Sequence, residues 1–186
     1  MVALKLNPVG VDVVIQDMQS AMYAELVRLW QIDNDTDYAC YGRAYRLQVP
    51  NKDAYVPEVF IGGKDYKEVF LDDRVKALSY FQYDRNAFKL MNTAPVSLIF
   101  WVNVTKVKPD VEHRADEEVR VDVANFIAGY LADSSVTIST FTGIDKVFSE
   151  YSAYRSAEGI KHRDMHPYHC FRINFNLPAY DSTSNC

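Results

Sequence analysis

The chain has 186 residues, of which 48% are apolar and 24% charged, the balance of an ordinary globular protein and long enough for one large domain. A chain of this size buries roughly 70% of its unfolded surface, so folding requires neither a metal nor a disulfide framework. Its 20 Lys and Arg are scattered among 25 Asp and Glu, for a net charge of −5, which argues against a surface that grips phosphates tightly.

Residues 11 to 31 are expected to form a first helix. Val11, Ile15, Met18, Met22, Leu26 and Leu29 recur at steps of three and four and make one apolar stripe. Asp17, Gln19, Glu25 and Arg28 fall largely outside it. Asp12, just after Gly10, is placed to cap the helix start, where an acid also suits the dipole. The acidic loop Asp33-Asn34-Asp35-Thr36-Asp37 ends the helix.

Strands follow. Cys40 to Val49 alternates loosely, and Pro50-Asn51-Lys52-Asp53 is a turn cluster. Glu58-Val59-Phe60-Ile61 and Lys67-Glu68-Val69-Phe70-Leu71 flank Gly62-Gly63-Lys64-Asp65, which predicts a hairpin with glycine supplying positive φ. Val75 to Tyr83 is a further strand. Pro95 to Val107 is the strongest: Val96, Leu98, Phe100 and Val102 point one way, while Ile99 and Trp101 make the other face half apolar, which predicts a place in mid-sheet.

Residues 112 to 132 read as a second helix, with Val119, Val123, Phe126, Ile127, Tyr130 and Leu131 on one face and Asp116-Glu117-Glu118 near its start. Val136 to Phe141 is a strand, Gly143 to Tyr151 is either a short helix or a bent connection, and Arg155 to Asp164 is a loop. Tyr168 to Leu177 alternates cleanly as a last strand, and the tail 181–186 is polar. The fold class expected is α+β: a mostly antiparallel sheet with two amphipathic helices on one face. Residues 1–186 are expected as a single domain with flexible N- and C-terminal tails and a loop insertion at 155–167. No repeat or low-complexity tract interrupts it.

The longest apolar run, Phe126 to Ala132, is far short of the roughly 20 residues of a membrane span, and Met1 to Pro8 lacks the apolar core of a secretory signal. Cys40, Cys170 and Cys186 leave an odd cysteine under any pairing, so reduced thiols in a cytoplasmic setting are expected. The bulk oddity is aromatic content, 13 Tyr, 10 Phe and 2 Trp. Tyr55, Tyr66, Tyr151, Tyr154 and Tyr180 stand in polar, loop-like contexts, where tyrosine is either an interface residue or a strand residue packing inward.

Motifs for chemistry are sparse. His162, His166 and His169 beside Cys170 form the best metal-ligand pattern, but Pro167 interrupts the run and His169 belongs to the last strand, so one helix cannot present all three. Gly62-Gly63-Lys64 lacks the spaced glycines and following Ser or Thr of a phosphate loop. Asp72-Asp73 and Asp116-Glu117-Glu118 are sequence neighbours rather than carboxylates facing across a substrate. His169 and Cys170 point to opposite faces of a strand. No catalytic residue, metal ligand or cofactor is assigned.

The order of elements resembles the tail-terminator-like (tail-completion) fold of tailed phages. Asp12 to Gln31 is similar to its first helix, Ala94 to Val107 with Asp116 to Ala132 to its strand–helix core, and Phe141 to Phe148 with Tyr168 to Tyr180 to its closing segments. More narrowly, the chain resembles head–tail connector ring proteins of the crAss-like bacteriophages. That resemblance implies a structural virion protein, assembled in the host cytoplasm, forming a homo-oligomeric ring between portal and tail. Its partners would be the portal or other connector and tail rings. Genomic DNA would pass through the lumen without tight or sequence-specific binding, as an acidic protein favours. Rings use heterologous interfaces, and the candidates are the loop from Gln48 to Pro57, the tail, and the hairpin with Tyr55, Phe60, Gly62, Gly63 and Tyr66. The alternatives are a small-molecule or peptide binding module using the tyrosines, and an unrecognised metal-dependent enzyme using His162, His166 and His169.

Overall fold

A computed structural model describes residues 1–32, 36–70, 73–83, 93–131, 137–156 and 166–178. In chain order the elements are α1 (Val11–Leu29), β1 (Tyr38–Gln48), β2 (Tyr55–Gly62), β3 (Asp65–Glu68), β4 (Ala77–Tyr83) and β5 (Thr93–Asn103). Then come α2 (Val104–Val107), α3 (Asp116–Tyr130), β6 (Ser139–Thr142), α4 (Ile144–Val147), α5 (Ser152–Ser156) and β7 (Tyr168–Pro178). The fold is α+β. Among the described residues seven strands form one sheet in the order β3-β2-β1-β4-β5-β7-β6. All neighbours are antiparallel except β1 and β4, because the β2–β3 hairpin turns back over one side of β1 before the chain returns on the other.

The mid-sheet position expected of β5 is observed: β4 flanks it on one side and β7 on the other. The strand stops at Asn103 rather than running to Val107. The Asn103 side chain accepts a hydrogen bond from the Lys106 backbone N–H at 3.2 Å, an N-cap that starts the single turn of α2. The second long helix likewise begins at Asp116 rather than 112.

Alternation along the strands separates two cores. On one face Val96, Leu98, Phe100 and Val102 of β5 join Phe171, Ile173, Phe175 and Leu177 of β7 beneath Ile15, Met18, Met22 and Leu26 of α1 and Val119, Val123 and Ile127 of α3. A row of rings crosses this core, from Tyr23 through Tyr38 and Phe100 to Phe171. Where α1 ends, Trp30 donates its indole N–H to Asp122 of α3 at 2.9 Å, and Lys108 pairs with the same carboxylate at 2.8 Å.

The expectation of helices on one face alone is corrected here. Leu78, Tyr80, Ile99, Trp101 and Cys170 point to the second face, where Val147, Phe148, Tyr151 and Tyr154 from the α4–α5 region cover them. Trp101 packs on Phe148 with ring centroids 4.8 Å apart, and Tyr154 lies 5.4 Å from Phe148. Tyr80 and Trp101 of the sheet and three rings of the covering segment are too much apolar area to leave wet, so the short helices close over this face. Tyr151 and Tyr154 are therefore core residues, not loop residues awaiting a partner.

Two polar residues of α1 also depart from the sequence expectation, Asp12 as a cap and Gln19 as a residue outside the apolar stripe. Asp12 does not cap the helix; Gly10, at φ 58°, occupies that position without a side-chain bond. Gln19 is buried and donates to the Cys40 carbonyl at 2.8 Å and the Ala3 carbonyl at 3.2 Å. It fits because Gly42 has no side chain: a Cβ there would stand 3.1 Å from Gln19 Oε1. Residues 1–5, expected within a flexible tail, are tied in by a Val2–Cys40 bridge and by bonds from Gln16 to both backbone groups of Lys5.

Candidate assembly surface

The hairpin forms where glycine predicted it. Phe60 of β2 lies opposite Tyr66 of β3, and Gly62 and Gly63 turn the chain at φ 120° and 61°. Phe60 and Tyr66 meet edge to face at 5.6 Å, and Tyr45 of β1 extends the ladder at 5.8 Å from Tyr66. Tyr66 is 43% exposed, Ile61 next to the turn 37% and Leu47 on β1 40%. Apolar area therefore reaches solvent along the end of the sheet that β3 closes.

Tyr55 is not part of this ladder. It sits at the far end of β2 opposite Gln48, its ring under the Arg46 guanidinium at 4.2 Å, and its backbone N–H bonds Ser152 of α5 at 3.1 Å. That contact docks the hairpin on the second helical layer. Tyr180 lies outside the described residues.

Beside the ladder stands a charged knot that sequence reasoning missed. Asp12 accepts from Lys5 Nζ at 2.7 Å and from Arg43 Nη2 at 3.1 Å, and its other oxygen lies 2.8 Å from Arg43 Nε. The Tyr45 hydroxyl takes bonds from Lys5 at 3.0 Å and Arg43 at 2.6 Å, and both cations approach its ring. Burial works to lower the Lys5 pKa, yet the bonds to Asp12 and Tyr45 together outweigh it and hold it above the ordinary lysine value. One carboxylate thus clamps the N-terminal segment, α1 and β1 at the base of the ladder. The only sequence signal was an acid in the first helical turn, and the dipole accounted for that already.

Open hollows also lie elsewhere among the described residues. A groove of about 600 Å³ runs between α1 and α3, lined by Leu29, Phe126 and Tyr130, with Glu25 and Asp122 on its rim. Those carboxylates are engaged by Arg28 and by Lys108 with Trp30. A second hollow of about 310 Å³ lies near β3, with Tyr41, Lys67, Phe70, Val75 and Leu78 in its wall. Among the described residues the strongly shifted groups are in the cores rather than in either hollow: burial raises the phenols of Tyr38, Tyr80 and Tyr151 and pushes the Cys40 thiol up to about 11.

Of the histidines, His166 is exposed, His169 is buried and stacks on Phe171 at 5.5 Å, and His162 lies outside the described residues. Among the described residues no group of three His, Cys, Asp or Glu is arranged to hold a metal ion. Cys170 is buried in the second core, across the sheet from the His169–Phe171 stack. Of Asp72-Asp73 only Asp73 is described, and its carbonyl accepts from Lys106 at 2.8 Å. No described helix is long and apolar enough to cross a membrane. Set against known proteins, the chain matches no family model, no curated protein and no solved structure.

Proposed function

We propose that this chain is a structural virion protein that assembles with copies of itself into a ring of the phage head–tail connector, between the portal side and the tail. The observation that carries this reading is the hairpin end of the sheet. There, Tyr66, Ile61 and Leu47 reach solvent from a rigid ladder braced by the Lys5–Asp12–Arg43 knot. Rigid, half-exposed aromatic residues on ordered strands are the usual anchors of a protein interface. The element order supports the same reading. A first helix precedes an antiparallel sheet, β5 leads through one turn into α3, and β6 and β7 close the sheet, as in the tail-terminator-like fold. A net charge of −5 suits a bore through which DNA slides without sticking.

The test is light scattering and negative-stain electron microscopy of the full chain, alone and co-expressed with the products of its neighbouring genes. Closed rings of several copies are expected, with portal and capsid genes adjacent. A chain that stays monomeric in every combination refutes the reading. The hollow beside Phe70 favours a second one, a peptide or small-molecule binding module, because its aromatic wall and Lys67 rim match the mix of apolar and polar groups such sites use. A ligand screen by thermal shift addresses it, since a ligand that prefers the native state raises the melting temperature.

A further inference from the structure

The sheet has two open ends, and they differ. Among the described residues β3, Asp65-Tyr66-Lys67-Glu68, pairs at one end only with β2, and β6, Ser139-Thr140-Phe141-Thr142, pairs at the other only with β7. Among the described residues nothing bonds to the outer side of either strand. An unpaired edge presents a row of N–H and C=O groups and is a template for another strand unless charge, proline or a covering element guards it. β6 carries neither charge nor proline, whereas β3 carries Asp65, Lys67 and Glu68, which guard it against an apolar edge but leave the uncharged β6 edge as an acceptable partner.

Strand sense makes the two ends complementary. β3 runs with β1 and β4, whereas β6 runs against them. If β3 of one copy meets β6 of the next with the α1–α3 layers on the same side of the joined sheet, the pairing is necessarily antiparallel, the more stable arrangement. The side chains agree. Tyr66 faces the α1 side with Phe60 and Tyr45, and Thr142 lies opposite Phe171, whose ring is in the α1–α3 core. On the other face Lys67 lies over the Tyr41 ring at 5.1 Å, and Phe141 lies opposite Arg172, which reaches Ser149 beyond α4 at 2.8 Å.

Resting on the ring reading, we propose that the contact between neighbouring copies is sheet continuation, in which β3 of one copy pairs antiparallel with β6 of the next. The register opposes Lys67 to Phe141, Tyr66 to Thr142 and Glu68 to Thr140. It sets an aromatic ring against a β-branched residue on one face, a favourable cross-strand pair, and a cation over a ring on the other. The interface is head to tail, so each copy keeps one edge free for the next and the series can close.

Cysteine pairs divided between two chains test this. Opposed residues in an antiparallel pair hold their Cβ atoms about 4.5–5.5 Å apart, close enough for a disulfide at the tighter pairs. Tyr66→Cys chains are mixed with Thr142→Cys chains, and Lys67→Cys chains with Phe141→Cys chains, all carrying Cys186→Ser. Opposed pairs alternate between tight and wide, so one of the two mixtures has the tighter geometry. After copper–phenanthroline oxidation, a dimer-sized band under non-reducing conditions is expected in a mixture and absent from each variant alone. A band from Tyr66→Cys alone would mean β3 pairs with β3 and would overturn the head-to-tail contact. Rings on the grids with no cross-link in either mixture would overturn the edge pairing but leave the ring reading standing. A chain monomeric with all its neighbours would overturn the ring reading itself.

Discussion

Asp12 shows how one side chain can hold three segments. Its carboxylate is 8% exposed, against 21% for Lys5 and 15% for Arg43, so all three charges are partly withdrawn from water and depend on one another. Replacing Asp12 by Asn keeps the size but leaves two cations facing each other over the Tyr45 ring. Removing one partner of a fully buried pair costs about 3–5 kcal/mol, and the residual exposure here reduces that to about 2 kcal/mol. The urea midpoint of Asp12→Asn should fall accordingly. Lys5→Met should cost much less, because Arg43 still satisfies the carboxylate. None of this was legible in the sequence. Lys5 and Arg43 are separated from Asp12 along the chain, and only the docking of the N-terminal segment and of β1 against α1 brings their charges together.

At the scale of elements, the hairpin was the most legible part of the candidate surface. Gly62 and Gly63 both adopt positive φ, which other residues reach only under strain. A Cβ at Gly63 would meet nothing within 4 Å, so Gly63→Ala carries the backbone cost alone. A loss of about 1 kcal/mol is expected, read as a lower melting temperature with an unchanged circular dichroism spectrum. The short helix left open over Gly143 to Tyr151 is present as α4, but its role in covering the second face of the sheet was not foreseen. Val147, Phe148, Tyr151 and Tyr154 share one helical face, at i, i+1, i+4 and i+7, the kind of signal that located α1, but it spans two short helices with a turn between them. Polar neighbours such as Ser149, Glu150 and Ser152 hid the stripe. A periodicity this brief becomes helix only when a sheet face stands ready to receive it.

For the molecule as a whole, aromatic residues fill both cores, and this has a measurable consequence in alkali. Burial raises the phenols of Tyr38, Tyr80 and Tyr151 above the ordinary value of 10.0. A group whose folded pKa lies above its unfolded one contributes stability in full below the unfolded value and loses it as the pH rises toward the folded value. Lys5, also raised, acts in the same direction. Stability should therefore hold through neutral pH and decline above about pH 10. Phenolate absorbance should rise in two stages, exposed tyrosines first and the buried set only with cooperative unfolding. A single stage at the ordinary value would mean these rings are accessible. The sequence by itself determined the elements whose pattern is long or whose turn needs a special residue: α1, the Gly62-Gly63 hairpin, the mid-sheet β5 and the clean alternation of β7. Tertiary structure alone decided which faces were covered, which tyrosines went inside and which charges met. Periodicity records a residue's side of its own element, whereas burial and pairing depend on what another element brings to that side.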